Sequence, residues 1–223
     1  MMKTVRGEKW VGSRGKRVED LSIAISAIPV GFTLTTLGAI SIALFDRVNP
    51  GYRQQRTGRN NVPFNILKIK TMPHCKEDTP SGGNHDDPRA SQMGRILRKL
   101  RIDELPQIAN VIVGNMSMVG PRPLPESEFA IAREVLGEKE YSDWQTIRHL
   151  GRPGIVDPYS VDYFREGLPL TYRKQDFEIT IPRRVELETQ YMLETASLEN
   201  DLQILAQAAM IVGSSALRPL ISL

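Results

Sequence analysis

The feature that most constrains this chain is a segment without any charged residue, which runs from residue 21 to residue 45. Its 25 residues are enough for a helix to cross the roughly 30 Å hydrocarbon core of a bilayer. A buried helix of a water-soluble domain would normally show a polar stripe, which this segment lacks. The apolar part is too long for a typical secretory signal. The segment therefore predicts a membrane helix.

Basic residues flank this helix on both sides. Residues 1–20 carry six basic and three acidic side chains, and residues 47–72 carry six basic side chains and no acid. Flanks rich in Lys and Arg stay on the cytoplasmic side, so a plain crossing would place one flank on the wrong side. A re-entrant helix, which bends at Pro29 and leaves by the same face, avoids this conflict, and Ser26 and Thr33 can bond the freed backbone. A kinked spanning helix is the alternative.

The rest of the chain predicts a compact domain of the α+β class that is mainly helical. Two stretches, residues 52–56 and 63–72, flank the polar run 58–61 and predict a small β-hairpin. The single Cys excludes an internal disulfide and a zinc site of several thiolates, which indicates a reducing compartment. We expect three parts: a basic tail at residues 1–15, a re-entrant membrane helix at 16–46 and a cytoplasmic domain at 47–223.

Residues 73–90 are rich in turn formers and lack large aliphatic side chains, which predicts a flexible loop that could serve as a lid. The loop contains several side chains that can bind metals: His74, Cys75, His85, Asp86 and Asp87. Their spacing fits no familiar zinc pattern, so a solvated loop is the preferred interpretation.

The candidate site lies in residues 87–123. Apolar residues at helical spacing predict a first helix that presents Arg98 among its cations. Asp103 is expected to cap a second helix, with Glu104 in its first turn. A carboxylate at a helix N-terminus near a cation is favoured in its ionised form, so we expect Asp103 to be charged at neutral pH. A capped helix with surface ion pairs is the simpler alternative.

A rigid turn of Gly120, Pro121, Arg122 and Pro123 follows this pair of carboxylates. Arginine binds phosphate oxygens through a bidentate fork, and Mg²⁺ is usually held by one or two carboxylates together with substrate phosphates. Carboxylates, arginines and a membrane helix together indicate phosphoryl chemistry on a lipid.

The run from Asp87 to Pro123 resembles the bacterial sugar transferases, which are monotopic polyprenyl-phosphate phosphoglycosyltransferases. The matching stretches are DPR at 87–89, GRILRK at 94–99, DELPQ at 103–107, NV at 110–111, MS at 116–117 and VGPRP at 119–123. Further matches are KRxxD from Lys16, RQxRxG from Arg53, PFxxxK from Pro63, RPGI from Arg152 and SLxxDL from Ser197. The resemblance therefore covers most of residues 16–205.

This resemblance implies transfer of a sugar 1-phosphate from a nucleotide diphosphate sugar, which we expect to be a UDP-sugar, to a membrane polyprenyl phosphate. Asp103 would be the nucleophile and would carry a covalent phosphosugar, and Glu104 would assist as a magnesium ligand or acid–base partner. Arg98 and Arg122 would hold phosphates, with Pro121 in the same binding segment.

The family also has a re-entrant helix, which agrees with the charge argument. We therefore expect the protein in the bacterial inner membrane, with its catalytic domain facing the cytoplasm. Asp103 and Glu104 are the expected ligands of Mg²⁺. Whether the protein forms a homodimer is left open by the sequence.

Two segments depart from the family pattern. Lys70 stands where the family usually has arginine, and residues 156–159 replace a segment that continues to a Gly-Arg pair; Arg165 is a candidate replacement in an uncertain register. A catalytically weakened scaffold is therefore the alternative, although the intact site residues argue against it. A membrane-anchored nucleic-acid-binding protein is disfavoured, because residues 47–70 offer few aromatic side chains for stacking, and we expect no nucleic-acid partner.

Overall fold

Helices dominate the part of the chain that the computed structural model describes, residues 6–73, 87–165 and 174–221. The helices are α1 (Arg6–Val11), α2 (Arg14–Ser41), α3 (Gln92–Lys99), α4 (Gln107–Val113), α5 (Glu126–Arg148), α6 (Pro158–Arg165), α7 (Lys174–Gln190) and α8 (Leu198–Ile221). The strands are β1 (Gly51–Thr57), β2 (Pro63–Ile69), β3 (Ser117–Val119) and β4 (Gly154–Val156). Single π-helical turns follow α2 (Ile42–Asp46) and α7 (Tyr191–Thr195). The expectation of a mainly helical fold with a small sheet is confirmed.

The predicted β-hairpin is present. β1 and β2 pair antiparallel, with Gln54 opposite Ile66, and a 3₁₀ turn at Arg59–Asn61 joins them. Phe64 and Ile66 are buried on one face of β2, as alternation along a strand requires. They pack with residues of α2 and α4 and with Met116, forming the core beneath the hairpin.

A second, smaller sheet fixes the turn that carries Arg122. β3 and β4 pair in parallel, and the two strands approach closely at Gly120 and Gly154. A Cβ atom on Gly154 would lie 2.2 Å from the Gly120 nitrogen, so a side chain has no room there. The Gly154 N–H donates to the Pro121 carbonyl at 3.0 Å, and the Gly120 N–H donates to the Val156 carbonyl at 3.1 Å. The chain is thus held on both sides immediately before Arg122.

Helix α2 includes Pro29 and is helical on both sides of it; the bend expected there stays a prediction. Nearby hydroxyls bond the backbone as expected: Thr33 Oγ1 donates to the Pro29 carbonyl at 2.9 Å and Ser26 Oγ donates to the Ser22 carbonyl at 2.8 Å. Together with its π-helical extension, α2 is long and apolar enough to cross a membrane, and no other described helix meets this criterion. The re-entrant path and the division at residues 16–46 and 47–223 stay predictions.

One face of α2 packs against the rest of the protein along its length. Near its start, Arg17 donates to the carbonyls of Val111 at 2.6 Å and Ile112 at 2.8 Å, at the end of α4. About two helical turns after Arg17, Ala24 is fully buried in the core beneath the hairpin. The opposite face exposes large apolar side chains, namely Val18, Ile25, Val30, Phe32, Leu37, Ile40, Leu44 and Phe45.

Two glycines continue this packed face. A Cβ atom on Gly31 would lie 2.8 Å from Ile108 Cδ1, and one on Gly38 would lie 3.0 Å from Ile69 Cδ1 and 3.1 Å from Ile102 Cγ2. The contacts of α2 therefore run antiparallel to the segment from Ile102 to the end of α4. Small residues let the helix lie directly on the segment that contains the predicted catalytic pair.

A buried group of charges ties the start of α2 to α8. Lys16 Nζ lies 3.1 Å from Glu19 Oε2, 3.1 Å from Asp20 Oδ1 and 2.9 Å from Asp201 Oδ2. Trp10 Nε1 donates to the same Asp201 oxygen at 2.8 Å. Three carboxylates thus share one lysine where the two ends of the chain meet.

A larger side chain at Gly38 is expected to push α2 away from Ile69 and Ile102. We expect Gly38→Val to lower the free energy of unfolding by about 1–3 kcal/mol, because overpacking forces the backbone or the rotamers to shift. Thermal unfolding of the protein in detergent measures this loss, and Leu37→Val at the neighbouring, exposed position is the control. Equal stability of the two variants would contradict the close contact at Gly38.

Candidate active site

The structure brings the predicted site residues together from separate elements. Asp103 and Glu104 lie in a 3₁₀ turn between α3 and α4, and Arg98 lies in the last turn of α3. Arg122 follows β3, and Lys68 enters from β2. Four of these five residues were predicted as site residues from sequence, and Lys68 was not.

Glu104 is the centre of the charge network. Its Oε1 accepts from Lys68 Nζ at 2.8 Å and from Arg122 Nη2 at 2.6 Å. Burial alone would favour the protonated acid, but the charges of Arg122 and Lys68 outweigh it and hold the pKa of Glu104 well below its usual value. Glu104 in turn raises the pKa of Arg122. The three side chains form a partly buried ionic group, in which burial lowers the pKa of Lys68 and the charge of Glu104 opposes that effect.

Asp103 does not cap a helix, and that expectation is wrong. Helix α4 begins later, at Gln107, after Pro106, and no side chain caps it. Asp103 is 5% exposed, and its Oδ1 is buried without a hydrogen-bond partner among the described residues. Burial raises the pKa of Asp103, and the neighbouring Glu104 charge raises it further against the surrounding cations. The pKa therefore moves in the direction opposite to the one expected at a helix end.

The chain reverses sharply just before this turn. Arg101 has φ 56° and ψ 19°, a left-handed conformation in which glycine is the usual residue after a helix. For a residue with a side chain this conformation costs on the order of 1 kcal/mol. Burial lowers the pKa of Arg98. Among the charges that oppose this shift, that of Asp103 has the largest effect. The reversal thus brings Arg98, at the end of α3, close enough to the turn of Asp103 and Glu104 for their charges to interact.

Arg122 is also held from behind. Arg148 Nη2, from the end of α5, donates to the Arg122 carbonyl at 2.5 Å. The Arg148 guanidinium lies over the ring of Trp144, 4.4 Å from its centroid, and 3.6 Å from Glu188. Pro121 is buried, and its carbonyl is used by β4, so it fixes the position of Arg122. Sequence reasoning did not identify Arg148.

A signal in the sequence could have identified Lys68. It follows Phe64 and Ile66 at alternate positions of β2, so it continues the buried face of the strand. A lysine on that face needs an acidic partner, and Glu104 provides it.

Arg165, in contrast, is exposed and pairs with Asp162 at 2.7 Å, at the end of α6. Its ion pair with Asp162 therefore accounts for Arg165 without a role at the candidate site.

Asp103 and Glu104 are the described side chains that could bind a metal ion in the candidate site. His74, Cys75, His85 and Asp86 lie outside the described residues, while the buried Asp87 is engaged by Arg89 at 2.9 and 2.6 Å. Within the described chain, no group of three or more His, Cys, Asp or Glu side chains could hold a metal ion. Mg²⁺ commonly needs only one or two carboxylates when substrate phosphates supply further oxygens. The unpaired Asp103 Oδ1, beside Glu104, fits that limited requirement.

The sequence profile of the bacterial sugar transferases matches residues 11–215 of this chain. The chain belongs to the bacterial sugar transferase family. The resemblance predicted from the motifs is therefore confirmed. The matched range includes α2, the hairpin, the turn with Asp103 and Glu104, and most of α8.

Curated relatives carry related names. The chain is 36% identical over 193 residues to a UDP-glucose:undecaprenyl-phosphate glucose-1-phosphate transferase of Caulobacter vibrioides, covering 85% of this chain and 66% of that protein. It is 30% identical over 211 residues to the exopolysaccharide production protein ExoY of Rhizobium meliloti, covering 87% of this chain and 83% of that protein. A UDP-N-acetylgalactosamine-undecaprenyl-phosphate N-acetylgalactosaminephosphotransferase of Aeromonas hydrophila is 36% identical over 145 residues, covering 63% of this chain. The chain spans 66% of the Caulobacter relative and 32% of the Aeromonas relative, so sugar transferases of this family differ in length.

A double-mutant cycle tests the ionic group. Lys68→Met and Glu104→Gln should each lower the free energy of unfolding by about 2 kcal/mol, because each leaves a buried charge with fewer partners. The double variant should lose less than the sum, with a coupling energy of about 1 kcal/mol or more in thermal unfolding. Arg133→Gln with Glu138→Gln is the matched control, since that exposed pair should show little coupling. Purely additive losses at Lys68 and Glu104 would contradict the direct contact.

Proposed function

We propose that this sugar transferase moves a sugar 1-phosphate from a UDP-sugar to a polyprenyl phosphate in the membrane, which is the initiating step of exopolysaccharide or other glycoconjugate assembly. The observation that carries the proposal is the buried, unpaired Oδ1 of Asp103, set among Lys68, Arg98 and Arg122. The names of the relatives from Caulobacter and Aeromonas support the substrate classes.

The chemistry proceeds in two displacements. In the first, Asp103 Oδ1 attacks the β-phosphorus of the UDP-sugar, forms an acyl phosphate bond, and breaks the bond to the bridging oxygen, which leaves with UMP. In the second, an oxygen of the polyprenyl phosphate attacks the same phosphorus and breaks the bond to Asp103. The carboxylate is restored and the sugar is linked to the lipid through a diphosphate. Covalent catalysis of this kind divides one difficult displacement into two easier ones.

The surrounding charges suit a diphosphate. Asp103 and Glu104 supply two negative charges, and Lys68, Arg98 and Arg122 supply three positive charges, so the site has a positive balance that attracts an anionic donor. The two cations on Glu104 Oε1 are oriented before substrate arrives. They can then stabilise the charge that develops on phosphate oxygens without first reorganising.

Asp103 and Glu104 are also the proposed ligands of Mg²⁺, together with the donor phosphates. The ion would neutralise the diphosphate charge that otherwise repels an anionic nucleophile. The structural support is the available Asp103 oxygen and the adjacent second carboxylate.

We further propose that α2 enters the cytoplasmic leaflet and returns to the same face. Its packed face extends from Arg17 to Gly38, a distance of about 30 Å along a helix. If α2 crossed the bilayer, the segment packed on it would cross as well, and Asp103 and Glu104 would enter the hydrocarbon at a cost of several kcal/mol, on the order of 3 kcal/mol for each charge. Basic flanks on both sides of α2 support the cytoplasmic face.

Asp103→Asn is expected to reduce transfer by at least about a thousandfold, because an amide cannot form the acyl phosphate. Incubation with a donor labelled in the sugar should leave label on the wild-type protein and none on the variant. Asp143→Asn, an exposed change of the same kind on α5, should keep both label and turnover. Turnover by Asp103→Asn at the rate of the control, with both variants equally folded in thermal unfolding, would remove Asp103 as nucleophile.

The membrane path is tested by labelling two exposed positions in a Cys75→Ser background. Lys9→Cys precedes α2, and Glu138→Cys lies on α5. A membrane-impermeant maleimide should label both positions in inverted membrane vesicles and neither in right-side-out vesicles. Labelling of the two positions from opposite sides would show a true crossing.

A further inference from the structure

Three arginines converge at the start of α2, at the end remote from Asp103. Arg17 donates to the carbonyls at the end of α4, and Arg152, which follows α5, donates through Nε to the Gly114 carbonyl at 2.8 Å. A Cβ atom on Gly114 would lie 3.6 Å from Arg17 Nη2, so both guanidinium groups reach the same end of α4. Two cations at a helix C-terminus are favourable, and they account for one part of this arrangement.

The third arginine is not explained by that helix end. Arg59 lies in the turn of the hairpin, which is fixed by the Asn60 N–H donating to the His149 carbonyl at 2.9 Å. Arg59 Nη2 approaches Gly12, at 3.5 Å from the position of a Cβ there. Its Nε is buried and has no hydrogen-bond partner among the described residues. Arg59 thus carries a buried donor that no described residue accepts.

Among the described residues no carboxylate forms an ion pair with this group, although Asp20, which acts on Arg152, has an Oδ2 that is buried without a hydrogen-bond partner. Burial lowers the pKa of Arg152, and the charges of Arg17 and Arg59 lower it further, which places all three within one electrostatic environment. Across residues 6–73, 87–165 and 174–221, none of the ion pairs involves any of them. Asp20 is the acid that acts on Arg152, and its Oδ1 is already used by Lys16, Ser117 and the Met118 N–H.

Exposed apolar residues lie next to each part of this group in the chain. Val18 follows Arg17 directly, Val62 closes the hairpin turn that holds Arg59, and Val113 precedes Gly114. They are 63%, 62% and 69% exposed. An anion site inside an apolar rim matches a lipid headgroup, because the phosphate lies level with arginines while the rim meets acyl chains.

We propose that Arg17, Arg59 and Arg152 bind the phosphate of an anionic phospholipid headgroup. The inference rests on the membrane placement of α2 proposed above, and it is independent of the transfer chemistry. About 30 Å of helix separates Arg17 from Gly38, which lies against the catalytic segment. A lipid held here is therefore structural or regulatory, and it is distinct from the polyprenyl phosphate that reacts at Asp103.

Thermal unfolding of the full-length protein in a neutral detergent tests this site with short-chain lipids. Dioctanoylphosphatidylglycerol, at about ten times its dissociation constant, should raise the unfolding temperature by roughly 4 °C. Dioctanoylphosphatidylcholine, whose choline cancels the phosphate charge, should give a much smaller rise. Glycerol 3-phosphate, which has the charge but no acyl chains, should also give a smaller rise.

Arg59→Gln should remove most of the shift caused by phosphatidylglycerol, because Arg59 contributes a donor without holding α4. Arg133→Gln is the matched control: it removes the same charge from an exposed position on α5 and should keep the full shift. Asp103→Asn should also keep it, which separates this site from the proposed catalysis. An equal shift in Arg59→Gln and Arg133→Gln, equal shifts with the two phospholipids or with glycerol 3-phosphate, or a shift caused by polyprenyl phosphate alone would each overturn the proposal.

Discussion

The contact between α2 and the segment from Ile102 to the end of α4 organises this protein. Small residues lie on one face of α2, with Gly38 over Ile102 and Gly31 over Ile108. They allow this apolar helix to lie directly on the segment that contains Asp103 and Glu104. The opposite face stays apolar and exposed. Any membrane that receives that outer face must therefore come within one helix diameter, about 10 Å, of the segment that carries Asp103. The same contact would let a polar site act on the proposed lipid substrate without entering the hydrocarbon.

Two adjacent carboxylates are given different environments within one turn. Glu104 shares one oxygen between Lys68 and Arg122, so its pKa falls well below the usual value. Asp103 is buried with an unpaired oxygen, so its pKa rises. Such a division is typical of functional pairs, in which one acid is fixed by its partners and the other is left available. Backbone restraints behind Arg122, from Arg148 and from β4, maintain the arrangement.

Sequence motifs predicted which residues meet, but not how they are held. The site around Asp103 could be predicted because its motif is dense, and the hairpin because its strands alternate clearly. The helix cap at Asp103 was wrong because Pro106 moves the start of α4 forward and leaves a 3₁₀ turn in its place. Lys68 and Arg148 were missed because their partners are distant in sequence, and tertiary packing alone brings a buried charge to its counter-ion. The hydroxyl of Thr33 bonds the backbone at Pro29 as expected, whereas the bend at that proline stays a prediction.

The ionic group around Lys16 has a consequence for biosynthesis. Its partner Asp201 leaves the ribosome long after α2, and the Trp10 hydrogen bond to Asp201 spans 191 residues of sequence. At translation rates of about 5–20 residues per second, the interval between the two is roughly 10–40 s. During that time Lys16 has only its local neighbours Glu19 and Asp20. The contact of Lys16 with Asp201 therefore forms only after α8 has been synthesised, and it joins α8 to a part of the chain that was made first.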